Sequence, residues 1–203
     1  MFLPVFFKKS FIVLMLYLLV HDCRKEPELT EITNDGTGGI SCLVNGQTLN
    51  AYGGPPLSLH PPGESVKMGD LDGAGVFVLR LYNWGDTNKP WQKVEIQLYD
   101  IDLQNSQHQY ISLEGNTYQL GDYGPPGMHG RHHTFGCYCN GMRGESTEHL
   151  FHTSQNYTGE LKITHHDLEN LIVSGTFWFD AVNENANVVH VTEGRFDIKY
   201  SGF

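Results

Sequence analysis

Residues 91–100 have the sequence WQKVEIQLYD, and this stretch decides the fold class. Apolar and polar side chains alternate along it, as they do in a half-buried β-strand whose successive side chains point to opposite faces. The apolar positions are Val94, Ile96 and Leu98. The polar positions between them are Lys93, Glu95 and Gln97. A period of two therefore predicts a strand with one face directed into a core.

The same period continues on both sides of this stretch. The segments with strand character are ISCLVNGQTLNAY (40–52), GVFVLRLYNW (75–84), HQYISLEG (108–115), TYQLG (117–121), YTGELKIT (157–164), LIVSGTFWFDAVN (171–183) and VVHVTEGRFDIKY (188–200). Asn45-Gly46 is the pair that most favours a tight hairpin turn, so the first segment predicts a hairpin. The positions predicted to face inward are Leu161, Ile163, Val173, Phe177, Phe179, Ala181, Phe196, Ile198 and Tyr200.

These patterns predict one all-β domain over residues 40–203, an antiparallel β-sandwich or a closed, calycin-like β-barrel. The two forms differ in strand pairing, which a single sequence does not show. Twenty-three glycines and nine prolines agree with many turns. The best helical candidate is a single turn at residues 166–170. Glycine within apolar strand positions at Gly175, and Glu193-Gly194 in the last strand, predict bulges or close packing.

The N-terminal residues MFLPVFFKKSFIVLMLYLLVHDC combine two lysines, a short apolar run and Cys23. The apolar run of ten residues is half of the about 20 that a membrane-spanning helix needs, so a secretory signal is predicted. A cysteine directly after the run predicts a lipoprotein signal peptide at 1–22 and lipidation of Cys23. The alternative is an uncleaved N-terminal anchor. The polar residues 23–39 predict a flexible tether next to the lipid.

The charge of the chain argues against nucleic acid as a partner. Of its 13 basic and 23 acidic residues, Lys8, Lys9 and Asp22 lie in segment 1–22, so the remainder has 11 basic and 22 acidic residues and a net charge of −11. Such a chain is repelled by phosphate backbones. It also lacks a basic amphipathic helix, so contact with a membrane is expected through the N-terminal lipid.

The C-terminal third resembles a known family. Its recurring elements here are GELKIT (159–164), SGTF followed by AVN (174–183) and GRFDIKY (194–200), and ISCLVNGQTLNAY resembles the opening strand. This pattern is similar to a family of uncharacterised Gram-negative bacterial lipoproteins with a domain of unknown function. The run CRKEPE (23–28) resembles a signal for the outer cell surface. The resemblance implies a β domain anchored by lipid to the outer membrane, on its periplasmic or cell-surface face, and supplies no catalytic residue.

The stretch GMHGRHHTFGCYCNGM (127–142) concentrates histidine and cysteine. A metal site is one interpretation; its candidate ligands are His129, His132, His133, Cys137 and Cys139. Two thiolates and two imidazoles suit zinc, and the methionines favour copper as an alternative. The other interpretation is a disulfide from Cys42 to Cys137 or Cys139, with one thiol left over. Without the metal, no cofactor is expected.

Trp84 and Trp91 flank a short loop and are candidate ligand-binding residues, because exposed aromatic rings stack on sugars or grip proteins. The structural alternative places them over the edge of the core. Sequence motifs for a nucleophile elbow, a zinc protease or a phosphate loop are absent, so an enzyme is not predicted. Three functions remain: a non-catalytic envelope module that binds glycan, peptide or a partner protein, a metal-binding envelope protein, and an unrecognised hydrolase.

Overall fold

The computed structural model describes residues 28–53, 62–85, 90–121, 133–142 and 149–202. These ranges form strands and contain no helix. The strands are β1 (Gly39–Val44), β2 (Gln47–Asn50), β3 (Glu64–Leu71), β4 (Ala74–Asn83), β5 (Trp91–Tyr99), β6 (Thr117–Leu120), β7 (Phe135–Gly141), β8 (His149–His152), β9 (Gly159–Asp167), β10 (Ile172–Val182), β11 (Val188–Lys199) and β12 (Ser201–Gly202). No helix in the described ranges is long and apolar enough to cross a membrane. Cys23 and residues 1–22 lie outside them.

All strands join one sheet in the order β12-β3-β4-β5-β7-β8-β10-β11-β1-β2, with β9 beside β10 and β6 beside β9. Every pair is antiparallel except β12 with β3. Because β12 directly follows β11 in the chain, its pairing brings the β3 edge round to the end of β11. The prediction of an all-β domain is confirmed, and the strongly curled sheet, a half-barrel, is consistent with the sandwich and with the barrel.

Two turns explain how the hairpins form. Asn45 and Gly46 have φ angles of 50° and 79° and join β1 to β2, which confirms the predicted hairpin. Asp72 and Gly73 have φ angles of 55° and 87° and join β3 to β4 in the same way. Positive φ at both central residues gives the primed turn whose twist matches that of the strands.

The concave side of the sheet holds the main core. The alternating positions of β5 meet there, and Val94, Ile96 and Leu98 are all fully buried. The inward positions predicted on β9, β10 and β11 are confirmed, with Tyr200 half-buried beside them. The largest fully buried side chains are Phe77, Phe179, Phe196, Ile40, Leu79, Leu81, Ile96, Leu98, Leu113, Leu120, Leu161 and Ile163.

The predicted bulges are also confirmed. The pairing of β9 with β10 shifts register between Ser174 and Gly175, where a Cβ on the glycine would lie 2.1 Å from the Lys162 carbonyl oxygen. The pairing of β10 with β11 shifts beyond Gly194, where a Cβ would lie 2.4 Å from the Phe177 ring. Both glycines therefore let aromatic side chains and a neighbouring strand approach the backbone closely.

Two local predictions are corrected, and part of the predicted tether makes contacts with the sheet. Residues 108–115 form no strand and make only an isolated bridge, Gln104 to Tyr110. Residues 166–170 are not helical, since β9 continues to Asp167 and a turn follows. Within the predicted tether, residues 28–38 pack on the sheet, because Asp197 accepts hydrogen bonds from Thr33 and from the backbone of Gly36.

Candidate functional site

The convex side of β4, β5, β7 and β8 carries side chains of unusual chemistry, and we call it the outer face. Strand register sets these side chains in two rows across the sheet. One row is Tyr82, Lys93, Cys139 and Leu150. The other is Arg80, Glu95, Cys137 and His152. Paired residues of neighbouring strands share a face, so both rows point away from the main core.

An aromatic row, defined as Tyr82, Trp84 and Trp91, borders the outer face at one end. The rings of Tyr82 and Trp84 stack with their centroids 5.2 Å apart and their planes at 4°. Trp84 and Trp91 follow at 6.3 Å and 39°. The indole of Trp91 lies across Gly141, where a Cβ would be 3.1 Å from Nε1. All three aromatic side chains are half-buried, so part of each remains accessible.

Charged groups lie directly beside this row. Arg80 Nε donates to Glu95 Oε2 at 2.6 Å, and Lys93 Nζ lies 3.8 Å from the same oxygen. Burial disfavours the charge on Lys93, but neighbouring Cys137, in its thiolate form, and the carboxylate of Glu95 favour it and raise the pKa of Lys93. Burial likewise opposes the charge on Arg80, and Glu95 outweighs it, so the pKa of the guanidinium rises. The site therefore presents two fixed cations around one carboxylate.

The two thiols of the outer face are buried and unreactive by their chemistry. Cys137 and Cys139 are each 2% exposed and pack with Phe135 in a small apolar cluster. A hydrogen bond with Cys139, followed by burial, raises the pKa of Cys137 well above its ordinary value. Thiols act as nucleophiles and metal ligands in the thiolate form, and a raised pKa disfavours that form at neutral pH.

The candidate metal ligands are brought together only in part. Cys137 and Cys139 are adjacent on β7, and His133 precedes the strand with its carbonyl oxygen accepting from Gln97 Nε2 at 3.0 Å. His129 and His132 lie outside the described residues. Among the described residues, no group of three or more His, Cys, Asp or Glu side chains could hold a metal ion.

Neither form of the predicted disulfide is present in the structure. Cys42, Cys137 and Cys139 are unbonded thiols in the structure. Cys42 lies in the main core on β1, whereas the other two belong to the cluster on the outer face. The sheet separates the two sets of sulfur atoms, so neither bond can form without moving the strands. Burial raises the pKa of Cys42 to about 12, which keeps it as a thiol.

Sequence reasoning identified Trp84, Trp91 and the cysteines as two unrelated features, and the structure places them on one face. It missed Tyr82, Arg80 and the pairing of Lys93 with Cys139. Strand alternation marked Lys93 and Glu95 as facing away from the core, and that was the available signal. Finding their partners required the register of β4, β5 and β7.

Comparison with known proteins gives one match. Residues 92–197 match the family described as a domain of unknown function (DUF6252), which covers more than half of the 203 residues. No curated protein and no solved structure matches the chain. The matched region includes Lys93, Glu95 and both cysteines of β7, and it begins one residue after Trp91.

Proposed function

The chain belongs to the DUF6252 family, and we propose that it is a non-catalytic binding module of the cell envelope whose outer face binds a glycan. The observation that carries this proposal is the continuous aromatic row beside the Arg80–Glu95 pair, with ring centroids 5.2 and 6.3 Å apart. Sugar rings present C–H groups that pack on aromatic faces and hydroxyl groups that bond to fixed charges.

The chemistry of the face supports a sugar over the other ligands. A protein partner usually covers about 800 Å² on each side, around a hot spot from which water is excluded. Here the charged side chains of Arg80, Lys93 and Glu95 lie directly beside the aromatic rings. Hydroxyl groups can both donate to the carboxylate of Glu95 and accept from Lys93 and Arg80. A mixed set of donors and acceptors beside a flat apolar surface matches a neutral carbohydrate.

The two alternatives have less support. A metal-binding role would use Cys137 and Cys139, whose thiols favour the protonated form, and no third ligand of a suitable type joins them among the described residues. A hydrolase needs an activated nucleophile or a pair of catalytic carboxylates. Among the described residues of the outer face, Glu95 is the one carboxylate, and it is engaged by Arg80.

We further propose that the module is attached to the bacterial outer membrane through lipid on Cys23, after removal of residues 1–22. The order of lysines, apolar run and cysteine supports this attachment. Metabolic labelling with a fatty-acid analogue should tag the wild-type protein and leave Cys23→Ser untagged. Equal labelling of both proteins would refute the anchor and would leave the glycan proposal standing.

A glycan array followed by calorimetric titration of the strongest binder tests the outer face. Trp84→Ala and Trp91→Ala should each weaken binding at least about fivefold, because one stacked ring contributes about 1 kcal/mol or more. Trp91→Phe should retain most of the affinity. Trp178→Ala is the matched control, since this tryptophan is 43% exposed on β10, outside the four strands of the outer face. Equal loss in the Trp178 variant, or binding only to proteins, would overturn the assignment.

A further inference from the structure

A second, apolar cavity of about 230 Å³ opens near the turn between β9 and β10. Its aliphatic walls are Met68, Leu103, Ile111, Leu168 and Leu171, with His166, Tyr200 and Tyr110 contributing rings. An apolar cavity of about 150 Å³ accommodates benzene, so this volume holds a ligand of roughly nine non-hydrogen atoms. The cavity lies apart from the outer face and does not depend on the function proposed for it.

Hydrogen bonds fix the tautomer of His166 at the base of the cavity. The backbone N–H of Leu113 donates to His166 Nδ1 at 2.9 Å, so this nitrogen is an acceptor and carries no proton. The proton of the neutral ring is then on Nε2, which lies 3.1 Å from Tyr200 Oη and donates to it. Burial, followed by the nearby His165, lowers the pKa of His166 and keeps the ring neutral.

This arrangement leaves the hydroxyl proton of Tyr200 available. Because Tyr200 Oη accepts from His166, its own O–H can donate to a further acceptor. Tyr200 lines the cavity together with aliphatic side chains. One hydrogen-bond donor in an apolar pocket is the pattern of a site that orients a small ligand by a single polar group.

The mouth of the cavity is built from side chains that are normally buried. Tyr110 is 58% exposed, Leu171 46% and Leu168 37%, and all three line this cavity. Leu171 also has a φ of 57°, which costs a non-glycine residue about 1–2 kcal/mol. Exposed apolar side chains that converge on one cavity, with a strained residue among them, are typical of a ligand site.

Acidic groups surround the polar end. Asp167 adjoins Tyr200, and burial followed by this carboxylate raises the pKa of the phenol. Glu114 Oε2 accepts from the backbone N–H of His166 at 3.2 Å. A neighbouring cavity that shares Leu103 and Tyr110 is lined by Asp70, Asp100 and Asp102. This negative surrounding disfavours an anion, so a free carboxylic acid would bind poorly.

We propose that this cavity binds a neutral acyl group, an ester or an amide, with its hydrocarbon chain against the aliphatic walls and its carbonyl oxygen accepting from Tyr200 Oη. The carbonyl supplies an acceptor for the Tyr200 O–H, which donates to no acceptor among the described residues. The open mouth between Leu168 and Leu171 lets the remainder of the acylated molecule extend into solvent.

Nuclear magnetic resonance titration of the ¹⁵N-labelled protein with methyl hexanoate tests the proposal. The amide signals of Leu113 and Gly202 should shift and saturate. The Leu113 N–H donates to His166, which lines the cavity, and Gly202 lines the cavity itself. Hexanoate at pH 7 should bind at least about tenfold more weakly. Tyr200→Phe should weaken the ester about tenfold, the usual effect of losing one hydrogen bond.

A pair of surface variants separates loss of binding from loss of folding. Leu168→Ser at the mouth should weaken methyl hexanoate severalfold, while Ile32→Ser, at an exposed apolar residue elsewhere, should leave the affinity unchanged. The proposal is overturned if the ester leaves the Leu113 and Gly202 signals unmoved. It is equally overturned if hexanoate binds as tightly as the ester, or if Tyr200→Phe remains folded with full affinity.

Discussion

Asp197 shows how one buried carboxylate organises distant parts of the chain. It is 1% exposed on β11. Ser174 Oγ on β10 donates to it at 2.6 Å, Thr33 Oγ1 donates from the N-terminal segment, and the Gly36 N–H donates at 3.0 Å. Ser174 and Asp197 belong to the two sequence patterns, SGTF and GRFDIKY, that carried the family resemblance. Their role here is architectural, because each satisfies the other inside the fold.

Asp197→Asn should lower the free energy of unfolding by about 2–3 kcal/mol, since hydrogen bonds to a charged group are the strong ones. An amide also turns one acceptor into a donor that faces other donors. Burial alone raises the pKa of Asp197, but the bonds from Ser174, Thr33 and Gly36 outweigh it and lower the pKa from 3.8. The stabilisation is therefore complete above pH 3.8 and is lost as the pH falls through the lower folded-state value.

Urea denaturation at pH 7 and at a series of acidic pH values measures both effects. The stability of the wild type should fall more steeply below pH 3.8 than that of Asp197→Asn, which lacks the titrating group. Glu184→Gln, an exposed carboxylate in the β10–β11 turn, serves as the control and should behave like the wild type. Identical acid profiles for the wild type and Asp197→Asn would contradict this account.

Gly175 is a residue whose lack of a side chain is required. A Cβ there would lie 2.1 Å from the Lys162 carbonyl oxygen and 2.6 Å from Phe196 Cζ. Gly175→Ala should therefore destabilise the protein by about 3 kcal/mol or prevent folding. Gly121→Ala is the matched control, because its nearest atom is 3.8 Å away and no strain is expected. Thermal melts of the two variants should differ widely, and equal melting temperatures would contradict the proposed close packing.

At the level of single residues, alternation predicted which side chains enter the main core, as Val94 and Phe179 show. Alternation did not predict which side chains of the outer face are buried. Cys137 and Cys139 were expected as metal ligands or disulfide partners, yet they pack as buried thiols. Whether a side chain on the convex face is buried depends on the residues that lie over it and beside it. A periodic sequence pattern does not identify those residues.

Among the elements, the turn between β9 and β10 shows local chemistry overriding propensity. Asp167 Oδ1 accepts from the backbone N–H groups of Glu169 and Asn170 at 2.8 and 2.9 Å, which closes a polar turn. Sequence predicted one helical turn here, since several consecutive residues permit helix. The aspartate side chain satisfies the same N–H groups in a turn instead. Leu171 is then held at positive φ.

Leu171→Gly should raise the free energy of unfolding by about 1 kcal/mol, because glycine adopts a φ of 57° without the steric cost that leucine incurs. Leu168→Gly is the control in the same turn; its φ is not positive, so the added backbone freedom should destabilise the protein by about 0.5–1 kcal/mol. Chemical denaturation of both variants decides the point. Destabilisation by Leu171→Gly of the same size as by Leu168→Gly would contradict strain at Leu171.

The prediction of a strand from alternating apolar and polar residues was wrong where the segment has no partner strand. HQYISLEG alternates as well as TYQLG does, but only the latter forms a strand, β6, which pairs with β9, whereas residues 108–115 make one isolated bridge. In residues 108–115, the Leu113 N–H donates to His166 Nδ1 and Ile111 N–H to the Leu103 carbonyl oxygen. Side-chain and loop acceptors thus replace a ladder, and Tyr110 and Ile111 of this segment line the cavity near the β9–β10 turn.

For the whole molecule, the curled sheet separates the thiols and shields them. In a Cys23→Ser background, alkylation with iodoacetamide under native conditions should leave Cys42, Cys137 and Cys139 unmodified, because burial raises the pKa of Cys42 and disfavours the thiolate. Unfolding in guanidinium without reductant should then add three alkyl groups, as measured by intact mass. Addition of only one group would reveal a disulfide and contradict the separation of the two sulfur sets.

The N-terminal segment 28–38 and the first residue of β3 both form hydrogen bonds with β1. Ile40 N–H donates to Glu64 Oε2 at 2.8 Å, and the Thr30 N–H donates to Ser41 Oγ at 2.9 Å. Residues of low hydrophobicity were predicted to form a tether because they bury little apolar surface. They are ordered here by hydrogen bonds to buried acceptors, which composition does not reveal.

This ordering gives a prediction about coupling across the molecule. A chain that begins at Gly39 should be less stable than one that begins at Glu28 by about 2–4 kcal/mol, since it loses the Thr33, Gly36 and Gly38 donors to Asp197. In the shorter chain Asp197→Asn should cost less than half of what it costs in the longer one, because most of the lost partners are already gone. Urea denaturation of the four proteins completes a double-mutant cycle. Strictly additive losses would mean that residues 28–38 stabilise the sheet without acting through Asp197. Asp197 would then not be the residue through which the N-terminal segment is attached.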